Sequence, residues 1–266
     1  MIRDITIGQY YPADSIIHRL DPRVKLLGTL VYIISLFAFH NIASYLVAGL
    51  FLAVIIHLSK VPFSYIVKGL KPIIFLLLFT VAFNLFLTPG QELIKIGFLK
   101  ITLEGIKTAG FMAVRLIFLI IGSSLMTFTT TPNHLTDGLE KGMGPLKKIH
   151  VPVHEISMMM SIALRFIPIL LEETDKIMKA QSARAADFET GGLIKKAKGL
   201  IPLLVPLFVS AFRRANDLAM AMEARCYRGG EGRTKMKPLA YKKRDRIAYI
   251  CLIIYWILLA TVKKFV

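Results

Sequence analysis

"EISMMMSIALRFIPILLEETDKIMKAQSA", from Glu155 to Ala183, is the stretch that decides the fold. Its apolar residues recur about every 3.6 positions, which predicts one long amphipathic helix. Arg165 interrupts the stretch after ten residues, whereas a membrane span needs about 20 apolar residues. We therefore expect this helix to lie along the membrane surface and dip into it.

A second stretch downstream repeats this plan. "GGLIKKAKGLIPLLVPLFVSAFRRANDLAMAMEA", residues 191–224, has the same helical period after a Gly-Gly break. Pro168, Pro202 and Pro206 should bend the two helices rather than end them. Two further membrane spans in place of the two surface helices are the alternative interpretation.

Five other apolar runs predict membrane spans, and together with the two amphipathic helices they indicate an all-α integral membrane protein. The runs lie at 26–39, 44–58, 72–89, 108–130 and 247–262. His40 and Asn41 predict a tight turn between the first two. Arg115 lies inside the fourth run, where it is functional, pairs within the bundle or reaches the outer boundary.

The composition also favours a membrane environment. The 266-residue chain is 55% hydrophobic and carries a formal net charge of +17, which is more apolar than ordinary soluble domains. The apolar and basic residues must therefore be segregated, as in a membrane protein with a basic water-facing part. This much apolar sequence argues against nucleic acid as the partner of the positive charge.

The distribution of lysine and arginine predicts the orientation, because cytoplasmic segments carry an excess of both. The segment 132–246 holds 21 Lys and Arg against 12 Asp and Glu, and basic residues also precede the first span. We therefore predict three parts. They are 1–131 with four transmembrane helices, 132–246 with long cytoplasmic amphipathic helices, and 247–266 with a fifth span. The N-terminus should then be cytoplasmic and the C-terminus outside, although Lys263 and Lys264 fit that side less well.

The sequence contains no convincing motif for chemistry. "GMGPLKK" and "GEGRTK" do not have the G-x-x-x-x-G-K-[ST] spacing, so we expect no ATP site on this chain. His150 and His154 are separated by a proline and have no evident third ligand, which argues against a metal site. "HLTDGLE", residues 134–140, is interpreted as the polar face of a short helix. Cys226 and Cys251 are expected to remain unpaired.

Two short stretches share one pattern. "AQSARAADFE" (180–189) and "AMEARCYRGG" (221–230) each close an amphipathic stretch with an arginine between two small residues. Arg184 and Arg225 are the two arginines of the chain that follow an alanine, and they lie 41 residues apart. Each could cap its helix through the macrodipole. A matched pair instead favours docking of both helix ends into two similar grooves, where a guanidinium makes bidentate contacts.

Three places in the chain point to a known family. They are "HRLDPRVKL" at 18–26, "ARA" and "ARC" at 183–185 and 224–226, and "RGGEGRTKMKPL" followed by "KKRD" within 228–245. In this order they resemble the transmembrane T component of energy-coupling factor (ECF) transporters, the EcfT/CbiQ type. The order of spans and surface helices agrees with that family over nearly the whole chain.

The resemblance implies a scaffold that docks two ABC-type ATPases, of A and A′ type, with one Ala-Arg motif for each. The partner ATPases would bind ATP and Mg²⁺. The chain itself would then be neither an enzyme nor the holder of a cofactor. The implied docking residues are Ala183, Arg184, Ala185, Ala224, Arg225 and Cys226.

The resemblance also implies a small membrane-embedded S component, which binds the substrate and topples when ATP moves the two helices. The complex would import vitamins or other micronutrients across a bacterial or archaeal cell membrane. Unbranched methionines suit a surface that must repack against an exchangeable partner. The expected contacts are Met158, Met159, Met160, Leu203, Leu204 and Phe208.

A self-contained secondary transporter or channel is the alternative function. Such proteins place acidic residues inside the membrane to line an ion path. None of the five apolar runs contains Asp or Glu. Coupling to protons or cations is therefore disfavoured.

Overall fold

Two compact units make up the chain in the computed structural model, which describes residues 10–96, 99–184, 192, 199–230, 236 and 238–265. We name them the bundle unit (8–138 and 239–266) and the helix-pair unit (139–238). The predicted all-α membrane class is confirmed, and the described residues add one short β-hairpin that was not predicted. The elements are α1 (Pro22–Ala38), α2 (Ile42–Ser59), α3 (Phe63–Leu70), a 3-10 turn (Lys71–Ile73), α4 (Ile74–Leu87), β1 (Glu92–Ile96), β2 (Leu99–Thr102), α5 (Leu103–Thr129), α6 (Pro132–Gly142), a second 3-10 segment (Gly144–Ile149), α7 (Val153–Ala183), α8 (Ile201–Ala224) and α9 (Lys243–Phe265).

The five predicted apolar runs form helices α1, α2, α4, α5 and α9. The predicted turn at His40 and Asn41 is confirmed, because α1 ends at Ala38 and α2 begins at Ile42. The hairpin lies between α4 and α5, with its two strands antiparallel and one irregularity in the register.

Four helices in the described part of the chain are long and apolar enough to cross a membrane: α2, α5, α7 and α9. The bent pair α3 and α4, with an angle of 60° between them, adds a fifth if the pair forms one span. α1 has 17 residues, which is about 26 Å at 1.5 Å per residue. Length and composition allow α7 to cross the membrane, so its expected position along the surface stays a prediction.

Aromatic side chains from α1, α2 and α9 form the main core of the bundle unit. Phe51 stacks on Tyr255 with ring centroids 4.3 Å apart, and Tyr255 Oη lies 2.7 Å from Ser35 Oγ. Trp256, the one tryptophan of the chain, packs edge-on against Phe39 at 5.8 Å. These contacts join α9 to α1 and α2, although α9 follows them by about two hundred residues in the sequence.

Arg115 of α5 lies inside the bundle unit. Its side chain is buried, Nε donates to Tyr45 Oη at 2.9 Å, and the guanidinium lies over the Phe37 ring at 5.4 Å. Of the three interpretations open at the sequence level, pairing within the bundle is the one that these contacts support. A charge placed this way is stabilised by a polar partner and an aromatic face.

The helix-pair unit is built on α7 and α8, which pack against each other. α7 continues for 31 residues through Pro168, and α8 continues for 24 residues through Pro206. Pro202 lies in the first turn of α8, where a missing N–H is tolerated. The prediction that prolines do not end these helices is therefore confirmed.

Candidate functional site

The two Ala-Arg motifs form matching helix ends. α7 ends at Ala183 and α8 ends at Ala224, and in each case the arginine that follows is the C-cap residue. The backbone of Arg184 has φ −92° and ψ 16°, and that of Arg225 has φ −93° and ψ 14°. The two stretches therefore share a local conformation as well as a sequence pattern. Ala185 lies outside the described residues.

Backbone hydrogen bonds close the end of α8. The N–H of Cys226 donates to the Glu223 carbonyl at 2.8 Å, and the N–H of Tyr227 donates to the Met222 carbonyl at 3.1 Å. This is the pattern of a Schellman motif, and Cys226 supplies its left-handed residue with φ 56°. The carbonyls of this turn therefore do not need the Arg225 side chain to cap them.

At the end of α7 the N–H of Arg184 donates to the Gln181 carbonyl at 3.0 Å, just as the N–H of Arg225 donates to the Met222 carbonyl at 3.1 Å in α8. Arg184 and Arg225 are both exposed. In the described part of the chain, neither side chain has an ion-pair or hydrogen-bond partner. Each guanidinium keeps its donors available at the end of a helix, together with the exposed Ala183 or Ala224 before it.

The predicted S-component residues divide between surface and interior. Met159, Leu204 and Phe208 are 58%, 55% and 66% exposed, and Met160 is also exposed, whereas Met158 is half-buried. Leu203 is only 6% exposed, so in this structure it offers almost no surface to a partner. Helical spacing accounts for this, since residues 203 and 204 point about 100° apart.

α8 carries an exposed apolar stripe that is longer than its three predicted contacts with the S component, Leu203, Leu204 and Phe208. Its members follow the 3-4 spacing of one helix face. All six are more than half exposed: Ile201, Leu204, Val205, Phe208, Val209 and Phe212. The helical period of the sequence contained this signal, but the side of α8 that faces α7 could not be read from it.

One polar cluster joins α7 to α8. Glu173 of α7 accepts a hydrogen bond from Ser210 Oγ at 2.6 Å with one carboxylate oxygen. Its other oxygen accepts from Arg214 Nη2 at 2.7 Å and Nε at 3.2 Å. Ser210 and Arg214 are four residues apart on α8 and so share one face of it.

Two of the family-like motifs meet in the bundle unit. Asp21 of "HRLDPRVKL" caps α1 by accepting from the Arg23 N–H at 2.9 Å. Its own N–H donates to Asp245 of "KKRD" at 2.9 Å, and the other oxygen of Asp245 accepts from the Lys242 N–H at 2.7 Å. Asp245 is 2% exposed. One buried carboxylate thus ties the start of α9 to the start of α1, and Arg23 covers the Tyr241 ring at 3.9 Å.

Burial and hydrogen bonding act in opposite directions on the pKa values of Asp21 and His18. Burial alone would raise the pKa of Asp21, but the side-chain and backbone hydrogen bonds from Arg23 outweigh it and lower that pKa. Burial lowers the pKa of His18 below its usual value, although the bond to the Tyr11 carbonyl acts the other way. The neutral His18 ring fits its partners, the Ser15 hydroxyl at Nδ1 and the Tyr11 carbonyl at Nε2.

"HLTDGLE" lies in the short helix α6, as predicted, and its Glu140 side chain bonds to α7. Its carboxylate accepts from Ser157 Oγ at 3.0 Å and lies 3.1 Å from His154 Nδ1, and all three side chains are partly or fully buried. Gly230 packs against the same ring, where a Cβ would lie 2.5 Å from His154 Cδ2. Glu140 therefore holds the end of α6 to the start of α7.

The cysteines and the side chains that could bind a metal do not form a site in the described residues. Cys226 and Cys251 are both free, as predicted. Among the described residues, no three His, Cys, Asp or Glu side chains lie together as a metal site requires.

Several known proteins are similar to this chain over nearly its whole length. Residues 13–236 match the family described as CbiQ, cobalt transport protein. The energy-coupling factor transporter transmembrane protein EcfT of Clostridium kluyveri is 59% identical over 256 residues, which cover 96% of this chain and 95% of that protein. EcfT of Ruminiclostridium cellulolyticum is 52% identical over 261 residues, with 97% and 98% covered. EcfT of Bacillus subtilis is 48% identical over 255 residues, with 96% of each covered. The chain therefore belongs to the family of EcfT-type transmembrane T components of ECF transporters.

Proposed function

We propose that this chain is the scaffold and energy-coupling subunit of an ECF-type importer. It transmits the ATP-driven movement of two ABC-type ATPases, of A and A′ type, to a membrane-embedded S component. The S component binds a vitamin or another micronutrient. The chain is not an enzyme in this scheme, because the partner ATPases bind ATP and Mg²⁺ and hydrolyse the nucleotide.

The observation that carries the proposal is the pair of matching helix ends at Arg184 and Arg225. Their backbone angles agree within 2°. In both motifs the arginine N–H bonds to a carbonyl of the last helical turn, and each guanidinium is exposed and available to a partner. Two like sites on one chain suit two like subunits, each with a groove that accepts a small residue, an arginine and another small residue. Ala183, Ala185, Ala224 and Cys226 are the small residues of the two proposed docking motifs.

The exposed apolar stripe of α8 supports the S-component part of the proposal. Leu204 and Phe208 lie in this stripe, and Met159 and Met160 add exposed apolar surface on α7. An exposed apolar face of this size marks a protein or lipid contact. In the proposal it presses on the S component while the other end of each helix holds an ATPase.

The excess of Lys and Arg in 132–246 supports a cytoplasmic position for the helix-pair unit, where soluble ATPases can reach it. We therefore propose the division into 1–131, 132–246 and 247–266, with the N-terminus also cytoplasmic. The membrane is that of a bacterial or archaeal cell, which the chain crosses several times.

Affinity purification tests the docking sites. Tagged wild type and the double variant Arg184→Glu/Arg225→Glu are purified from a mild detergent extract of cells that contain the partners. The double variant should capture at least about thirtyfold less ATPase, because removing an interfacial charge of this kind costs about 2 kcal/mol or more. Each single variant should lose less, since the remaining site still tethers the complex.

The control makes the same charge change elsewhere on the same helices. Arg165→Glu/Arg213→Glu alters two exposed arginines that have no ion-pair partner in the described part of the chain. It should capture ATPase like the wild type. Equal capture by the Arg184/Arg225 variant and the wild type would refute the proposed docking sites. A wild type that purifies without partners would favour the secondary-transporter alternative.

A further inference from the structure

The contact between α7 and α8 stands at the same distance from both proposed docking ends. Glu173 precedes Arg184 by 11 residues, and Arg214 precedes Arg225 by 11 residues. Glu173 and Arg214 are themselves 41 residues apart, the separation of the two docking arginines. The ion pair thus joins equivalent positions of the two similar helices.

This spacing gives two helix segments of equal length, one from Glu173 to Arg184 and one from Arg214 to Arg225. We call the two docking arginines the tips of the helices. At 1.5 Å per residue, 11 residues span about 16 Å, or three turns of helix. A tip and its ion-pair residue therefore lie at nearly the same angular position around each helix. Movement at either tip acts over the same length on the contact between α7 and α8.

Hydrogen bonds fix the register of that contact more strictly than apolar packing does. Both carboxylate oxygens of Glu173 are engaged, by Ser210 at 2.6 Å and by Arg214 at 2.7 and 3.2 Å. Sliding one helix by a single residue, about 1.5 Å, would strain these bonds, because their lengths and angles are directional. Apolar side chains tolerate such a shift because their attraction is not directional.

We propose that Glu173, Arg214 and Ser210 are positioning residues that fix the point about which α7 and α8 transmit ATPase movement. This inference rests on the proposed function, and it adds the residues that make the two helices act as one device. With the cluster intact, displacement of the two tips also displaces the N-terminal arms, which are the parts of α7 and α8 that precede Glu173 and Arg214. Without it, the tips move and the helices slide past each other.

Distances between spin labels test the transmission directly in the complex of this chain with its ATPases. One label pair reports the tips, at Lys179 and Met220, which are exposed and 41 residues apart. A second pair reports the opposite arms, at the exposed Ala163 and Val205. MgATP is the probe, so the transported substrate need not be known.

In the wild type we expect MgATP to change both distances. Glu173→Arg should still capture ATPase and still show the change at the tips, but it should lose the change in the opposite arms. The charge swap Glu173→Arg/Arg214→Glu should restore that change. Rescue by the swap separates a role of the pair from a general effect on folding.

Two variants make the test decisive. Glu172→Arg changes the neighbouring exposed carboxylate, which has no partner in the described part of the chain, and should behave like the wild type. Glu173→Gln keeps the shape of the side chain and should lose part of the distance change in the opposite arms. This variant tests the inference if the reversed charge of Glu173→Arg prevents folding. An unchanged response in Glu173→Gln and Glu173→Arg would overturn the inference, and so would a swap that restores nothing. Failure of the wild type to capture ATPase is a different result, because it refutes the proposed function as well.

Discussion

Asp245 should be among the most sensitive residues of the bundle unit, because its two carboxylate oxygens serve two backbone donors. Asp245→Ala leaves the N–H of buried Asp21 and the N–H of Lys242 without their acceptors at 2.9 and 2.7 Å. A hydrogen bond to a charged group contributes about 1.5–3 kcal/mol, and water can replace the acceptor at exposed Lys242. We therefore expect a loss of about 2–4 kcal/mol. In a chain of this size it lowers the melting temperature by about 5–15 °C.

Trp256 fluorescence in mild detergent measures this loss, because the ring packs against Phe39 of α1 and reports separation of α1 from α9. Asp245→Asn keeps one acceptor and should show about half the effect. Asp217→Ala removes an exposed carboxylate of α8 and should stay within about 0.5 kcal/mol of the wild type. A melting temperature for Asp245→Ala within about 2 °C of the wild type would refute the view that this carboxylate ties the two helix starts together.

Four further substitutions have expected effects on stability. Gly122→Ala should lower the melting temperature, because its Cβ would lie 2.7 Å from Tyr32 Cε1. Gly110→Ala in the same helix meets nothing within 4 Å and should raise it, so equal shifts would contradict this packing. Cys226→Gly should stabilise the last turn of α8 by about 1 kcal/mol, since a left-handed φ of 56° favours glycine. Amide hydrogen exchange in that turn should become slower, and unchanged exchange would argue against backbone strain at Cys226. The lowered folded-state pKa of His18 makes its contribution to stability complete above the unfolded pKa of about 6.5 and lost as pH falls through the folded pKa. Thermal melts between about pH 7 and pH 5 should therefore show a smaller loss for His18→Gln than for the wild type, and parallel losses would contradict this role.

The helices were predictable because their signal is local. Each apolar run is continuous in the sequence, and the two amphipathic stretches keep one period past Pro168 and Pro206. The hairpin was not predicted, although "IKI" (94–96) and "LKIT" (99–102) alternate apolar and polar residues on either side of a glycine, as strands do. Each strand has only five or four residues, too few for the alternation to stand out between two longer apolar runs.

The contacts that organise the chain could not be predicted in the same way, because their partners are distant in sequence. Asp21 and Asp245 are 224 residues apart, and Glu173 and Arg214 are 41 residues apart. Nothing in the local pattern distinguishes Glu173 from its neighbour Glu172, yet one faces α8 and the other is exposed. Resemblance to a family marked Asp21 and Asp245 as motif residues but gave no physical reason for them, which the shared hydrogen bond supplies.

Exposure alone does not make Arg184 and Arg225 special, because the chain has 34 basic residues against 17 acidic ones, and one-to-one pairing would leave half of the cations without an acidic partner. Their position does. Each is the C-cap residue of its helix, and each lies 11 residues beyond the ion pair that joins the two helices. A capping role would explain each arginine separately, but it would not require the equal spacing. The two arginines and their equal spacing suit a device that passes movement from two like subunits through one fixed contact.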